Sequence, residues 1–514
     1  MAGHVFIVHG DLRRLACDAW LLPTDAALRV EDTWRGWPER DPPRIDPGAP
    51  SEAWRQGRQR VQKLEGYDPR LPQPWLVNVS AKDTTPVSWF VEAAALFLDA
   101  VAHDVERSVP RHRRSKRLVA LPVVGTRFGG AARATGDVVR ALLPVLDAAA
   151  RRHDFDVALV AVHEPMFAAA ESERKKLWLA GELSPDLTPT QRACADALAE
   201  HAVQRKLVLF LGAGVSIGAG LPAWTELLEQ MGERAGLSPD ERRELARFDA
   251  MDQASIVRAR LEQARGDDAA GAFHDEVVRL ARATHASLSH MLMAAMPVEE
   301  IVTTNYDELF EVASAGIKRS VSVLPHAPDL EASRWLLKLH GCVSRPEDIV
   351  LTREDFLRYE HRRAALAGIV QALLITKHML FVGFSLKDEN FHRIADAVRR
   401  ARGSKNGMRK IGTVLRIESD ALLETLWNAE LDFLQIEDAR HLEIFLDYLL
   451  ATTRAPLSHI LDPRYRGTHT EPERALAERL QAFLAEVPAS AKEGPAWEEI
   501  TKLVQRFGGD AGPR

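Results

Sequence analysis

A glycine-rich segment carries the residue types and spacing best suited to chemistry in this sequence. From Leu207 to Trp224 the chain has LVLFLGAGVSIGAGLPAW, so an apolar run leads directly into the tripeptide at 212–214. Glycines after a strand let the backbone approach a pyrophosphate closely, and N–H groups of the next helix face its charge. The spacing departs from G-x-G-x-x-G, because the third glycine, Gly218, falls one residue late. The segment therefore predicts either a phosphate-binding loop or a tight structural turn.

Polar residues follow three later apolar runs, at the points where strands would end. They occur in VTTNYDELF, KLHG and FVGFSLKDEN, and the residues concerned are Asn305, Asp307, His340, Ser385, Asp388 and Asn390. The carboxyl ends of parallel strands meet at one edge of a sheet, where open α/β sheets bind their ligands. We therefore expect these side chains to converge in one crevice, although each taken alone also fits a turn residue with satisfied hydrogen bonds.

The elements that must position these residues follow an alternating pattern of strands and helices. Short apolar runs bounded by turn residues predict buried strands, both before residue 168 and again from Leu207 onward. Between the early strands, Val87–Val105 and Thr135–Arg152 have the length and apolar spacing of helices. Such alternation is typical of a mostly parallel sheet covered on both faces. The region 224–295 has few β-branched residues and predicts an inserted helical subdomain.

The chain divides, on this pattern, into two α/β domains and a tail. We predict an N-terminal domain over 1–168, a charged linker over 169–188, and a second domain over 189–458. A helical C-terminal extension follows over 459–514, opened by a capping box at Thr470.

The composition sets limits on the class of protein. A net charge of -6 argues against a general affinity for nucleic acid or anionic lipid, although the basic run 111–117 is either a solvated loop or a docking patch. Three well-separated cysteines, Cys17, Cys194 and Cys342, exclude a disulfide framework and a four-cysteine zinc ribbon. No stretch approaches the roughly 20 apolar residues of a membrane helix. We expect a cytoplasmic protein with no metal and no membrane partner.

The ordered motifs G-A-G-x-S…G-L-P, T-x-N-x-D, H-G and G-x-S resemble those of the sirtuin family of NAD-consuming enzymes. The resemblance implies a Rossmann-like domain in which Asn305 and Asp307 lie near the nicotinamide ribose and His340 is the catalytic base. It also implies a set of residues that bind NAD: Gly212, Ala213, Gly214, Ser216, Leu221, Pro222, Thr304, Gly383, Ser385 and Asp388.

Two departures from the protein-deacylating sirtuins narrow the expected activity. The chain has no C-x-x-C pair, and Ala223-Trp224 stands where those enzymes have Asp-Phe-Arg. Both features resemble the bacterial sirtuin-like NADases of antiphage defence. That branch implies gated hydrolysis of NAD to nicotinamide and ADP-ribose, a homo-oligomer, and a partner ATPase or phage-sensing protein. The alternatives are an NAD-dependent protein-modifying enzyme, either an ADP-ribosyltransferase or a deacylase, and a non-enzymatic sensor of NAD or ADP-ribose.

The N-terminal region is similar to macro domains, which bind ADP-ribose. Gly10-Asp11-Leu12 matches the opening of that family, and Leu121–Ala131 resembles its glycine-rich phosphate loop. The sequence departs at Pro23-Thr24-Asp25, where macro domains usually have asparagines. The resemblance implies a three-layer α/β domain that senses an ADP-ribose-type ligand or holds the second domain inactive. The alternative is a scaffold or oligomerisation module that has lost its ligand.

Overall fold

The chain folds as two compact units in the computed structural model. The residues described are 2–35, 45–80, 85–105, 109–126, 132–265, 271–403, 409–418, 420–453 and 457–509. One unit combines residues 1–187 with 454–514, and the other consists of residues 188–453. Because the second interrupts the first along the chain, we call them the split unit and the inserted unit.

The split unit is built on a six-stranded sheet with the order β1-β6-β5-β2-β4-β3. All neighbouring strands are parallel except β3, which pairs antiparallel with β4 at the edge. The strands are β1 Val5–His9, β2 Ala19–Thr24, β3 Val61–Lys63, β4 Gln73–Asn78, β5 Leu118–Pro122 and β6 Asp156–Ala161. The helices that follow in this part of the chain are α1 Asp32–Arg35, α2 Glu52–Arg55, α3 Val87–Val105, α4 Thr135–His153 and α5 Glu164–Leu179.

The inserted unit has a seven-stranded sheet in which every pair of neighbours is parallel, with the order β13-β12-β11-β7-β8-β10-β9. Its strands are β7 Leu207–Leu211, β8 Glu300–Thr303, β9 Ser322–Leu324, β10 Trp335–Lys338, β11 His378–Val382, β12 Gly412–Arg416 and β13 Leu431–Gln435. The central strands are completely buried apolar runs, as a parallel sheet covered on both faces requires.

Helices cover this sheet and also form the predicted helical insertion between β7 and β8. They are α6 Pro189–Val203, α7 Trp224–Arg234, α8 Pro239–Leu245, α9 Ala250–Arg265, α10 Ala272–Ala281, α11 Leu288–Ala295, α12 Leu309–Gly316, α13 Arg353–Leu357, α14 Tyr359–Thr376, α15 Glu389–Arg402, α16 Ala421–Trp427 and α17 Ala439–Thr453. The expected α/β class with parallel sheets is confirmed for this unit.

The chain then returns to the split unit. A 3-10 helix, Pro463–Thr468, packs on α4, and α18 Glu471–Glu486 and α19 Pro495–Arg506 follow it. The expected capping box at Thr470 is present. The tail has its own small core of Ile460, Leu461, Ala477 and Val504. The predicted C-terminal extension 459–514 therefore belongs to the split unit, and it accepts hydrogen bonds from Arg140 and Lys176, which lie 327 and 292 positions before their partners.

The predicted linker over 169–188 differs from the structure. Its first half continues α5, and Glu171 and Arg174 on that helix are buried. Their side chains form an ion pair of 2.7 Å, which satisfies both charges away from water. The charged sequence indicated a solvent-exposed segment, because the sequence alone does not distinguish a buried, paired charge from a solvated one.

Two further expectations concern the predicted phosphate loop and membrane-spanning helices. Part of the predicted phosphate loop, residues 127–131, lies outside the described residues. Among the helices in the described ranges, none combines the length and the apolar character that crossing a membrane requires.

Candidate active site

A cavity of about 710 Å³ lies at the carboxyl ends of β11, β7, β8 and β10, which are neighbours in the sheet. All of the predicted catalytic and NAD-binding residues except Gly212 line it: Ala213, Gly214, Ser216, Leu221, Pro222, Thr304, Asn305, Asp307, His340, Gly383, Ser385 and Asp388. Asn390, which was also expected to converge there, does not line it. Ligand pockets in proteins have volumes of about 300–1,000 Å³. The expected convergence of the four motifs therefore takes place in a space large enough for a nucleotide.

The glycines of the first motif hold two loops of the inserted unit together. The Gly214 amide donates a hydrogen bond of 3.0 Å to the carbonyl of Gly383, in the loop after β11. A Cβ atom on Gly214 would lie 2.8 Å from the Cα of Gly383, and one on Gly212 would lie 2.4 Å from the carbonyl oxygen of Gly383. Gly383 itself has a φ of +64°. These glycines permit close contact between two backbones, whereas the sequence pattern indicated either a phosphate-binding loop or a tight structural turn.

Asn305 follows β8 and is fixed by its amide nitrogen. Nδ2 donates 3.1 Å hydrogen bonds to the carbonyl oxygen of Gly212 and to Oγ of Ser216. A carbonyl only accepts hydrogen bonds, so the orientation of the amide is determined. Its Oδ1 atom is buried and has no hydrogen-bond partner within the described residues. Asn305 therefore offers the cavity an acceptor, with both amide protons already used.

Ser216 connects Asn305 to Asp307. The Ser216 hydroxyl accepts from Asn305 and donates a hydrogen bond of 2.8 Å to Oδ2 of Asp307. The other oxygen of Asp307 accepts from the backbone N–H of Leu309, at the start of α12. Since the hydroxyl is 97% buried and committed to this chain, Ser216 positions Asn305. The resemblance had implied a direct role for Ser216 in holding phosphate.

A buried lysine lies beneath the same loop. The ammonium group of Lys338 donates to the carbonyl oxygen of Asp307 at 2.5 Å and forms an ion pair of 2.7 Å with Glu311. Lys338 has no solvent exposure. Burial raises the pKa of the Glu311 carboxyl, and the nearby ammonium opposes that rise. Nothing in the sequence pattern distinguished this pair, because a lysine inside a strand is ordinarily placed at the surface.

His340 follows β10 and lies against Asp388. Its Nε2 atom is 3.3 Å from Oδ2 of Asp388, while Oδ1 of Asp388 accepts from the N–H of Phe391 and caps α15. The amide of Asn390 lies 3.5 Å from the same ring nitrogen. Asp307 reaches Asn305 through Ser216. The carboxylate facing the histidine belongs instead to Asp388, which the resemblance had implied in cofactor binding.

The protonation of His340 follows from its burial. The side chain is 98% buried, which lowers its pKa below the ordinary 6.5, although the Asp388 carboxylate pulls it upward. The ring is therefore neutral at pH 7. With the proton on Nε2, directed at Asp388, the other nitrogen is an acceptor. That atom, Nδ1, is buried and has no partner among the residues described, so it is available as a base.

The helical insertion supplies one wall of the cavity. Asp249, Ala250 and Met251, at the start of α9, line it together with Ala281. Arg353, at the start of α13, forms a 2.9 Å ion pair with Asp252 and pairs with Asp249. Sequence reasoning missed these residues, because their types are ordinary for helices and only the tertiary fold brings them to the site.

The chemistry available here is that of hydrogen bonding and proton transfer. No group of three or more His, Cys, Asp or Glu side chains within the described ranges is arranged to hold a metal ion. The cavity instead presents two buried acceptors, Oδ1 of Asn305 and Nδ1 of His340, on neighbouring strand ends. This combination suits a site that holds a hydroxylated substrate and takes a proton from water.

Comparisons with known proteins identify the class of domain. The family model described as a SIR2-like domain matches residues 299–430, which include β8 to α16 and the residues Asn305, His340 and Asp388. The class expected from the motifs is thereby supported for this part of the chain. The match does not extend to the macro-like resemblance of the N-terminal region.

Curated relatives are similar to part of this chain. The NAD(+) hydrolase ThsA of Bacillus cereus (strain MSX-D12) is 26% identical over 209 residues, which cover 39% of this chain and 42% of that protein. The defense-associated sirtuin 2 of Bacillus subtilis is 26% identical over 213 residues, 40% of this chain and 20% of that protein. The NAD(+) hydrolase ThsA of Enterococcus faecium is 28% identical over 199 residues, 37% of this chain and 39% of that protein. The chain thus spans less than half the length of these relatives.

Proposed function

We propose that the inserted unit hydrolyses NAD at the nicotinamide–ribose bond and releases nicotinamide and ADP-ribose. One observation carries the proposal: Oδ1 of Asn305 and Nδ1 of His340 are buried acceptors that line one cavity and have no partner within the described residues. The names of three relatives support it: two are called NAD(+) hydrolase ThsA, and the third is called a defense-associated sirtuin.

The bond to be broken determines what these residues must do. The bond between the nicotinamide nitrogen and ribose C1′ breaks with its electron pair on nicotinamide, which leaves neutral, so positive charge develops on the ribose. The oxygen of a water molecule then bonds to C1′, and its proton goes to a base. His340 is that base in our proposal, because its Nδ1 atom is an unprotonated acceptor.

Asn305 holds the substrate in this scheme. Its amide nitrogen is occupied by Gly212 and Ser216, so Oδ1 accepts from a ribose hydroxyl or from the attacking water. The chain from Asn305 through Ser216 to Asp307 fixes that oxygen before substrate arrives. Such preorganisation favours catalysis, since no side chain has to be ordered during the reaction. Residues Ala213, Gly214, Gly383 and Ser385 are proposed to bind the rest of NAD.

The test is NAD consumption by the purified full-length protein, with the products separated by chromatography. We expect wild type to release nicotinamide and free ADP-ribose in equal amounts, and His340→Ala to release neither. Recovery of ADP-ribose attached to protein would show that the inserted unit transfers ADP-ribose to protein and does not hydrolyse NAD. Binding of NAD without turnover, both by the purified protein alone and after addition of extract from phage-infected cells, would indicate a non-enzymatic sensor.

The wider role is proposed from the sequence resemblance to the sirtuin-like NADases of antiphage defence, and one relative is named a defense-associated sirtuin. Unrestrained NAD hydrolysis would deplete a cell, so we propose a cytoplasmic, gated effector of antiphage defence that works as a homo-oligomer. Its trigger would be a partner ATPase or another phage-sensing protein.

The split unit is proposed to bind an ADP-ribose-type ligand. The support is its macro-like N-terminal sequence and a cavity at the carboxyl ends of its parallel strands, where Gly10, Asp11, Thr24 and Val123 lie. Such a ligand would be both a product of the inserted unit and a signal to the split unit.

A further inference from the structure

The cavity of the split unit is formed by residues from the two ends of the chain. It has a volume of about 670 Å³ and opens at the ends of β1, β2, β5 and β6. Most of its lining comes from residues before 167, but Arg464 and Tyr465 also line it. These two residues belong to the 3-10 helix that follows the inserted unit along the chain.

The C-terminal segment Asp462–His469 is fixed in place by close contacts with α4 and α5. A Cβ atom on Gly136 would lie 2.9 Å from the Cα of Tyr465, so helix and segment touch through their backbones. Arg140 donates a hydrogen bond of 2.9 Å to the carbonyl oxygen of Gly467, and Lys176 donates to that of Thr468. The segment therefore forms a fixed part of the cavity wall, and its central residue, Tyr465, is buried.

One polar group that lines the cavity has no hydrogen-bond partner among the described residues. The hydroxyl of Thr24, at the end of β2, is buried and has no hydrogen-bond partner within the described ranges, and Thr24 lines the cavity. Buried hydroxyls are ordinarily hydrogen-bonded, and a bound molecule is one way to satisfy such a group. The position departs from the expected macro-like pattern, which has an asparagine in this part of the sequence.

The two residues of the C-terminal segment bring complementary chemistry. The guanidinium of Arg464 is half exposed, is held by Asp462 at 2.6 Å, and lies 5.6 Å from the ring of Tyr465. Burial raises the pKa of Tyr465 to about 12, so its hydroxyl keeps its proton at pH 7 and is able to donate a hydrogen bond. An arginine suits a phosphate, and a tyrosine suits a ring or a ribose hydroxyl. An ADP-ribose-type molecule contains phosphates, an aromatic ring and ribose hydroxyls.

We propose that Arg464 and Tyr465 contact the ligand of the split unit, so that the C-terminal segment is part of its binding site. The inference rests on the proposed ADP-ribose-type ligand and adds residues that lie outside the macro-like region 1–168. A consequence follows from chain order alone. The segment comes shortly after residue 454, where the chain re-enters the split unit, so the ligand contacts the stretch that leads out of the inserted unit.

The experiment measures ADP-ribose binding to the full-length protein by calorimetry, with hydrogen exchange recorded on the same samples. The variants are Arg464→Ala, whose side chain is half exposed, and Tyr465→Phe, which keeps the ring and removes only the hydroxyl. Arg479→Ala on α18 is the matched control, because that arginine is exposed and does not line the cavity. Thermal unfolding of each variant checks that the segment remains folded.

We expect Arg464→Ala to weaken ADP-ribose binding at least fivefold and Tyr465→Phe severalfold, with Arg479→Ala unchanged. ADP-ribose should also slow amide exchange over 463–468 in the wild type. Equal binding by all variants, without protection of 463–468, would overturn the inference and leave the proposed ligand standing. Absence of binding by the wild type would overturn the proposed ligand and the inference with it.

Discussion

The Nε2 atom of His340 lies 3.3 Å from Oδ2 of Asp388, although the two residues come from different strand ends. The same carboxylate caps α15 through the N–H of Phe391, so a single side chain orients both the helix and the imidazole. This contact explains why Nδ1, the other ring nitrogen, is the atom left as an acceptor.

The first prediction concerns the pH dependence of NAD hydrolysis. The base must be neutral, and burial lowers the pKa of His340 below 6.5, so activity should be flat above that pH and fall in acid. Asp388→Asn removes the charge that raises this pKa, so the acid limb of kcat/KM should move to lower pH. We expect kcat to fall about tenfold as the ring loses its orientation. Asp396→Asn, also on α15, is the control; an unshifted acid limb in Asp388→Asn would contradict the assignment.

The second prediction concerns the acceptor of Asn305. Asn305→Ala should lower kcat/KM for NAD by about 100-fold or more, because removing one preorganised catalytic group costs on the order of 3–4 kcal/mol. Two buried hydrogen bonds also disappear, so the melting temperature should drop by several degrees. Asn428→Ala, at an exposed position after α16, should leave activity and stability unchanged. Retained turnover in Asn305→Ala would remove this residue from the site.

The third prediction separates the role of Ser216 from that of an ordinary buried serine. Ser216→Ala leaves Oδ2 of Asp307 without its donor and Asn305 without one acceptor, so we expect a loss of about 1–3 kcal/mol in stability. NAD turnover should fall with it. Ser314→Ala is the matched control, since that hydroxyl is buried with no partner in the described part of the chain. Denaturant unfolding of both variants gives the comparison, and equal losses would argue against a positioning role.

The fourth prediction tests the contact between the glycine loops. Gly383 and Gly236 both have positive φ, +64° and +76°. A Cβ on Gly383 would lie 2.6 Å from the Val215 nitrogen, whereas none of the atoms described lies within 4 Å of one on Gly236. Gly236→Ala should cost about 1–2 kcal/mol for the backbone conformation alone. Gly383→Ala should cost roughly 2 kcal/mol more, measured by urea unfolding; similar losses at the two positions would mean that the loops adjust freely.

The fifth prediction concerns the wall provided by the helical insertion. Arg353 pairs with Asp249 and Asp252 on or beside α9, and exposed ion pairs contribute about 0.2–1 kcal/mol each. Arg353→Ala should therefore speed amide exchange over 249–262 and raise KM for NAD severalfold, with kcat little changed. High salt should have the same effect on the wild type. Arg247→Ala, an exposed arginine nearby, serves as control, and an unaltered KM in Arg353→Ala would show that the pairs do not hold the wall.

Much of the fold could be predicted because its signals are local. The strands β7, β8, β10 and β11 are short apolar runs followed by polar residues, and a parallel sheet brings their carboxyl ends to one edge. The strands β3, β9 and β13 were not predicted, because each lies at an edge of its sheet and lacks a continuous buried apolar run. The macro-like character of the split unit stays a prediction, as do the individual roles of the site residues.

The sequence by itself determined that the four motifs meet in the inserted unit, because they follow strands of a parallel sheet whose carboxyl ends share one edge. Only the tertiary structure decided what each residue does there: that Asp388 faces His340, and that Ser216 joins Asn305 to Asp307. Tertiary structure alone also placed Arg464 and Tyr465 in the cavity of the split unit. Such partners lie tens or hundreds of positions apart, and their contacts depend on packing, which a linear pattern of residue types does not encode.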